Sequence, residues 1–79
     1  KKSKFNYIIK IADFYFVETA KKMESIITEE TSIQDVNIDK ISSTKFRVFL
    51  GPFDNINSLK KTFNAINVLE FDSIEIIKK

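Results

Sequence analysis

The segment Tyr7-Ile8-Ile9-Lys10-Ile11-Ala12-Asp13-Phe14 returns 39 residues later as Phe46-Arg47-Val48-Phe49-Leu50-Gly51-Pro52-Phe53. Each copy is a run of large apolar and β-branched residues closed by a small residue, one further residue and Phe. Runs of this kind read as strands. Behind each copy, a helix-like segment carries a Lys-Lys pair at the same offset, Lys21-Lys22 and Lys60-Lys61. Stacked-repeat architectures need more than two units to bury a continuous core. Two copies therefore point to one small domain made of two β-α-β halves about a pseudo-twofold axis.

Working outward, changes of period mark the remaining elements. Residues 5–12 read as a strand with Tyr7, Ile9 and Ile11 on one face and Ile8, Lys10 and Ala12 on the other. From Val17 the spacing turns helical, with Val17, Ala20, Met23 and Ile27 on one stripe, and Glu29-Glu30-Thr31-Ser32 closes the helix. Val36 and Ile38 alternate with Asp35, Asn37 and Asp39, the pattern of a strand with one wet face. After a Ser42-Ser43-Thr44 turn, Lys45–Leu50 forms a strand with Phe46, Val48 and Leu50 inward and Arg47 and Phe49 on the opposite side. Gly51-Pro52 breaks it, Asp54 or Asn55 caps a second helix, and Ile56, Leu59, Phe63 and Ile66 form that helix's apolar stripe. Ser73–Lys78 is the last strand, with Ile74 and Ile76 inward. Phe14 and Phe53, at equivalent strand exits, are expected to plug the two ends of the helix-sheet interface.

The order β-α-β-β-α-β with right-handed crossovers predicts an α+β, ferredoxin-like sandwich. It is a four-stranded antiparallel sheet in the order 4-1-3-2, with both helices on one face and the repeated strands as its central pair. The other face is left uncovered. Its expected centre carries Lys10, Arg47 and Phe49, flanked by Ile8, Ala12, Asn37, Asp39, Glu75 and Ile77. An exposed Phe beside two cations and several apolar groups reads as a binding platform.

Composition limits what that platform can bind. The 79 residues make one domain, and 13 cations against 11 acids leave a net charge of +2, too balanced to argue by itself for nucleic acid or an anionic membrane. With no Cys and no His, disulfides, the common zinc sites and most nucleophile-base pairs are unavailable. Two carboxylates remain the obvious route to glycan cleavage. Asp35 and Asp39 share a strand face, but four residues of strand hold them about 13 Å apart, beyond the roughly 5–9.5 Å that glycosidases use. No apolar run approaches the length of a membrane span, which needs about 20 residues. The expectation is a non-catalytic, cofactor-free, metal-free module that does not itself enter a membrane. Lys1-Lys2-Ser3-Lys4 reads as the remnant of a linker, residues 5–79 as the domain, and the whole as a piece of a longer protein.

Phe46-Arg47-Val48-Phe49-Leu50-Gly51-Pro52-Phe53 resembles the third strand of SPOR (sporulation-related repeat) domains, where an aromatic-Arg-Val-x-Val-Gly-Pro-Phe string is common. Tyr7–Phe14 is similar to their first strand, usually aromatic-x-Val-Gln-Val-Gly-x-Phe, followed by a helix with an early Ala, here Ala20. The likeness runs over essentially the whole chain, Phe71-Asp72 before the last strand included. It implies a bacterial envelope domain that binds peptidoglycan glycan strands stripped of stem peptides, on the helix-free face of the sheet. Such a domain, expected as a monomer, directs a parent protein to the division septum. Its place is the periplasm or envelope, tethered by an upstream membrane anchor or lipoprotein signal. The chain departs from that pattern at Lys10 (the family's Gln), at Ala12 (its Gly), and at Tyr15-Phe16, where the second copy has the polar Asp54-Asn55.

Within that resemblance, removal of the stem peptide exposes a lactyl carboxylate on each muramic acid. Lys10 and Arg47 are suited to such carboxylates through charge-assisted hydrogen bonds, and Arg47 alone can fork onto one. Phe49 is suited to the apolar face of a sugar ring. Two alternatives stay open. RNA-recognition motifs share the element order and use aromatics on strands one and three, and Thr44-Lys45-Phe46-Arg47-Val48-Phe49 partly matches their third-strand string. That string's glycines are missing here, and strand one offers Lys10 where a stacking aromatic is expected. The other alternative is a domain that dimerises through its sheet.

Overall fold

The computed structural model describes residues 5–71 and 74–78. Lys1–Lys4, expected to be a linker remnant, and Asp72 and Ser73 lie outside the described residues. The elements run β1 (Tyr7–Phe14), α1 (Val17–Glu30), β2 (Val36–Ser42), β3 (Lys45–Phe53), α2 (Ile56–Ile66), a 3-10 turn at Asn67–Leu69 and β4 (Glu75–Lys78). All strand pairings are antiparallel and the sheet order is β2-β3-β1-β4, the expected order read from the other edge. The fold is the α+β arrangement expected from the repeat.

One apolar cluster joins the sheet to both helices. Ile9, Ile11, Val48 and Leu50 from the central strands pack with Ala20 and Ile27 of α1 and with Leu59 and Ile66 of α2. Both helices therefore cover the same side of the sheet. Phe53 is buried in this cluster and Phe14 packs half-buried against it, so the two repeat-closing phenylalanines sit where the repeat places them. The apolar stripes are narrower than the spacing alone implies. Ile56 is 51% exposed at the start of α2 and Ile76 is 49% exposed on edge strand β4.

The helix ends differ as their sequences do. Asn55 caps α2, its side-chain oxygen accepting from the Ser58 backbone N–H at 2.8 Å. At the corresponding place before α1 stands Phe16, whose side chain makes no capping hydrogen bond. The other end of α1 is closed by Thr31, whose hydroxyl donates to the Ile27 carbonyl at 2.7 Å and accepts from the Ile33 N–H at 3.1 Å.

Strand β1 runs two residues further than the expected 5–12, and the register explains why. Lys10 pairs with Phe49 and Ala12 with Val48, so Ile11 is an extra residue, a β-bulge. A matching irregularity lies in β3. Tyr7 pairs with Phe53 and Ile9 with Leu50, so Ile8 stands opposite two residues, Gly51 and Pro52. By the 39-residue repeat, Ile11-Ala12 corresponds to Leu50-Gly51. Each copy thus carries an irregularity next to its small residue, with that of β3, at Gly51-Pro52, one residue beyond the place equivalent to Ile11. In β3 the bend needs glycine: Gly51 has φ +105°, and a Cβ there would sit 2.8 Å from Cδ2 of Phe53. The bend is tied to the start of β2, with Gly51 N–H donating to Asp35 O at 3.1 Å and Asn37 Nδ2 donating to Gly51 O at 2.7 Å.

Candidate functional site

The helix-free face is organised by the Ile11 bulge. In a regular strand, residues three apart point to opposite faces. The extra residue reverses that parity, because a one-residue shift moves every later side chain to the other face. Ala12 consequently pairs with Val48 and packs against the core cluster rather than lying on the open face. Its expected place in the site is corrected on that ground. Asp13 takes the vacated side and stands opposite Arg47. Reading the segment as a plain alternation missed Asp13. A signal was present: Tyr7, Ile9 and Ile11 are odd-numbered and Phe14 is even, so all four point inward only if one residue is extra.

Asp13 becomes the hub of a charged chain across the sheet. Arg47 grips it with two hydrogen bonds, Nε to Oδ1 at 3.0 Å and Nη2 to Oδ2 at 3.4 Å. Lys10 Nζ lies 3.5 Å from Asp13 Oδ2 and 3.5 Å from Glu75 Oε1. Asp39 stands across from Arg47 in the register of β2 and β3. The series Asp39, Arg47, Asp13, Lys10, Glu75 therefore crosses all four strands in sheet order. The Arg47 hydrogen bond holds the Asp13 carboxyl below its ordinary range, against the opposing push of burial, and the Arg47 and Lys10 charges add to it. Arg47 is raised in turn, first by the Asp13 hydrogen bond, with Glu75 and Asp39 contributing through charge.

Phe49 is the second correction. It lies on the open side, outside the helix-covered cluster, yet it is only 5% exposed. In register it lies between Lys10 on β1 and Asn37 on β2. Directly opposed side chains on neighbouring strands approach closely, and a lysine stem covers apolar surface while its ammonium stays wet. Ile8 is 6% exposed on the same side and pairs with Ile77 of β4. Ile8 and Phe49 thus form an apolar floor beneath a polar top layer rather than an exposed aromatic platform. Asn37 has its amide nitrogen committed to the Gly51 carbonyl.

Of the nine expected site residues, eight share this face: Ile8, Lys10, Asn37, Asp39, Arg47, Phe49, Glu75 and Ile77. Its strand-borne charged groups are Lys10, Lys45 and Arg47 against Asp13, Asp39 and Glu75, three positive and three negative, which balance among the described residues. The cations are accompanied, but unequally. Arg47 is held by a fork, whereas both Lys10 contacts are long and its partner Glu75 is 61% exposed. Lys10 can turn to another anion at small cost, and Arg47 cannot. Among the described residues, no group of carboxylates is arranged to hold a metal ion, and no helix is long and apolar enough to cross a membrane.

Comparison of the chain with protein-family models, with curated proteins and with solved structures finds no match.

Proposed function

We propose that this chain is a non-catalytic glycan-binding module of the bacterial envelope, which takes peptidoglycan strands lacking stem peptides on its helix-free sheet face. The observation that carries the reading is the Asp13–Arg47 fork with Lys10 and Glu75 beside it, spread over an apolar floor. Planar carboxylate and guanidinium edges match the paired hydroxyls of a sugar ring, and charge-assisted hydrogen bonds are the strong ones. Arg47 has donors left after the two it gives Asp13. In this reading Arg47 and Asp13 orient hydroxyls, while Lys10 leaves Glu75 for the lactyl carboxylate of a muramic acid. The repeat and the Gly51-Pro52-Phe53 string support the same reading through the SPOR resemblance. The module would target a parent envelope or division protein to the septum.

An RNA-binding role is less favoured. Phe49 is covered and offers no open ring for a base, and a face whose charges balance lacks the net positive charge that draws a phosphate backbone. Dimerisation through the sheet would bury the charged chain against its own copy, which is costly unless every charge finds a partner.

Co-sedimentation with purified sacculi, intact and amidase-treated, tests the proposal, with single-stranded RNA as competitor. The chain should be retained on amidase-treated sacculi, resist RNA competition, and lose retention when Lys10→Ala and Arg47→Ala are combined in a variant that still melts cooperatively. Unchanged retention of that variant would defeat the proposal.

A further inference from the structure

Two hollows lie side by side where β1 passes into α1 and β2 turns into β3. One, of about 420 Å³, is lined by Asp13, Phe14, Tyr15, Ser42, Thr44 and Lys45. The other, of about 400 Å³, runs along Tyr15, Phe16, Glu18, Ser43, Thr44 and Phe46. Tyr15 and Thr44 border both and divide one from the other.

The aromatics here are not explained by folding. Tyr15 is 75% exposed and Phe16 67% exposed. Phe16 also occupies the helix-capping position where Ser, Thr, Asp or Asn would stabilise α1, and it supplies no cap. Adjacent exposed rings that forgo a cap, set beside hydroxyls and a carboxylate, make a mixed apolar-polar lining of the kind that orients small ligands.

We infer that this end of the domain is a second saccharide subsite, which receives the next rings of a glycan lying on the open face; the inference rests on the glycan reading above. Continuity comes from Asp13, which belongs to the charged chain of the open face and also lines the first hollow. A strand leaving the sheet over Asp13 meets Tyr15 next. The C–H face of a pyranose packs on an aromatic ring, and its hydroxyl edge reaches the Ser42, Ser43 and Thr44 hydroxyls of the turn. A membrane surface fits less well. The hollows carry the carboxylates of Asp13 and Glu18 against one ammonium, Lys45, and anionic lipid attracts the opposite balance.

The test compares the wild-type chain with a Tyr15→Ala/Phe16→Ala variant, titrated calorimetrically with stem-peptide-free disaccharide and with longer oligosaccharides from the same digest. Both residues are exposed, so the variant should fold. It should bind the longer oligosaccharides about tenfold more weakly, with a distinctly smaller loss for the disaccharide. Equal affinity of variant and wild type for the longer chains overturns the subsite but spares the open-face reading if Arg47→Ala still weakens both ligands. Equal losses for both lengths overturn it as well. A wild-type chain that binds neither ligand removes both readings. A variant that keeps its glycan affinity but loses binding to phosphatidylglycerol vesicles replaces the saccharide with a membrane surface.

Discussion

Asp13 and Arg47 face each other across the central strands because Ile11 has no partner of its own in β3. The bulge turns a residue that plain alternation would aim at the helices into the hub of the open face. Arg47 is gripped through its Nε and Nη2 atoms, and that fork links the fold to the chemistry of the site.

The link is visible in the pH dependence of stability. The Asp13 carboxyl ionises at lower pH in the folded chain than in the unfolded one. Between those two values the unfolded chain holds more protons, so stability rises with pH. The contribution is complete above the ordinary carboxylate range, near about 4, and is lost as pH falls through the lowered folded value. Asp13→Asn should cost about 1 kcal/mol at neutral pH. It should also flatten the acid limb of a plot of urea midpoint against pH; a limb of unchanged steepness would show that Asp13 is not the group responsible.

Ala12 tests the bulge from the other side. It packs towards the core cluster, so Ala12→Lys should destabilise by about 2 kcal/mol. On an unbulged strand the same residue would lie on the open face, and the substitution would be nearly neutral. Chemical denaturation separates the two registers.

Much of the fold was legible because a repeat fixes more than its own two copies. Equivalent strands 39 residues apart, each followed by a helix, leave few ways to close a sheet, and the observed order is the expected one. The site was legible to the extent that alternation holds. Lys10, Arg47, Asn37, Asp39 and Glu75 fall on the expected face because each lies in a stretch that keeps its parity. Asp13 and Ala12 exchanged roles because a bulge is a property of pairing between strands, marked in one chain only by the parity of Phe14. The burial of Phe49 is likewise not readable from its own strand, since its register neighbours, Lys10 and Asn37, come from the two flanking strands.

Gly51 should tolerate no side chain. Its φ of +105° and the nearness of the Phe53 ring predict that Gly51→Ala loses at least about 1 kcal/mol. A loss that small would still be clear in a thermal melt, and wild-type stability would mean that the β3 bend is not formed as described.

Glu75 holds Lys10 through a long contact and adds a negative charge to the face. If Lys10 is the group that receives the glycan's carboxylate, Glu75→Gln should tighten binding to stem-peptide-free glycan by about two- to fivefold, and less so in high salt. Titration calorimetry at low and high salt reads both effects. Weaker binding would mean that Glu75 touches the ligand directly.

Entry of ligand on the helix-free face is open to amide chemical-shift mapping with stem-peptide-free glycan fragments. Perturbations should concentrate at Lys10, Asp13, Asn37, Arg47, Phe49 and Glu75, with the outward Lys21, Lys22, Lys60 and Lys61 of the helices unmoved. Perturbations confined to the helical side, or none at glycan concentrations that saturate retention on sacculi, would contradict it.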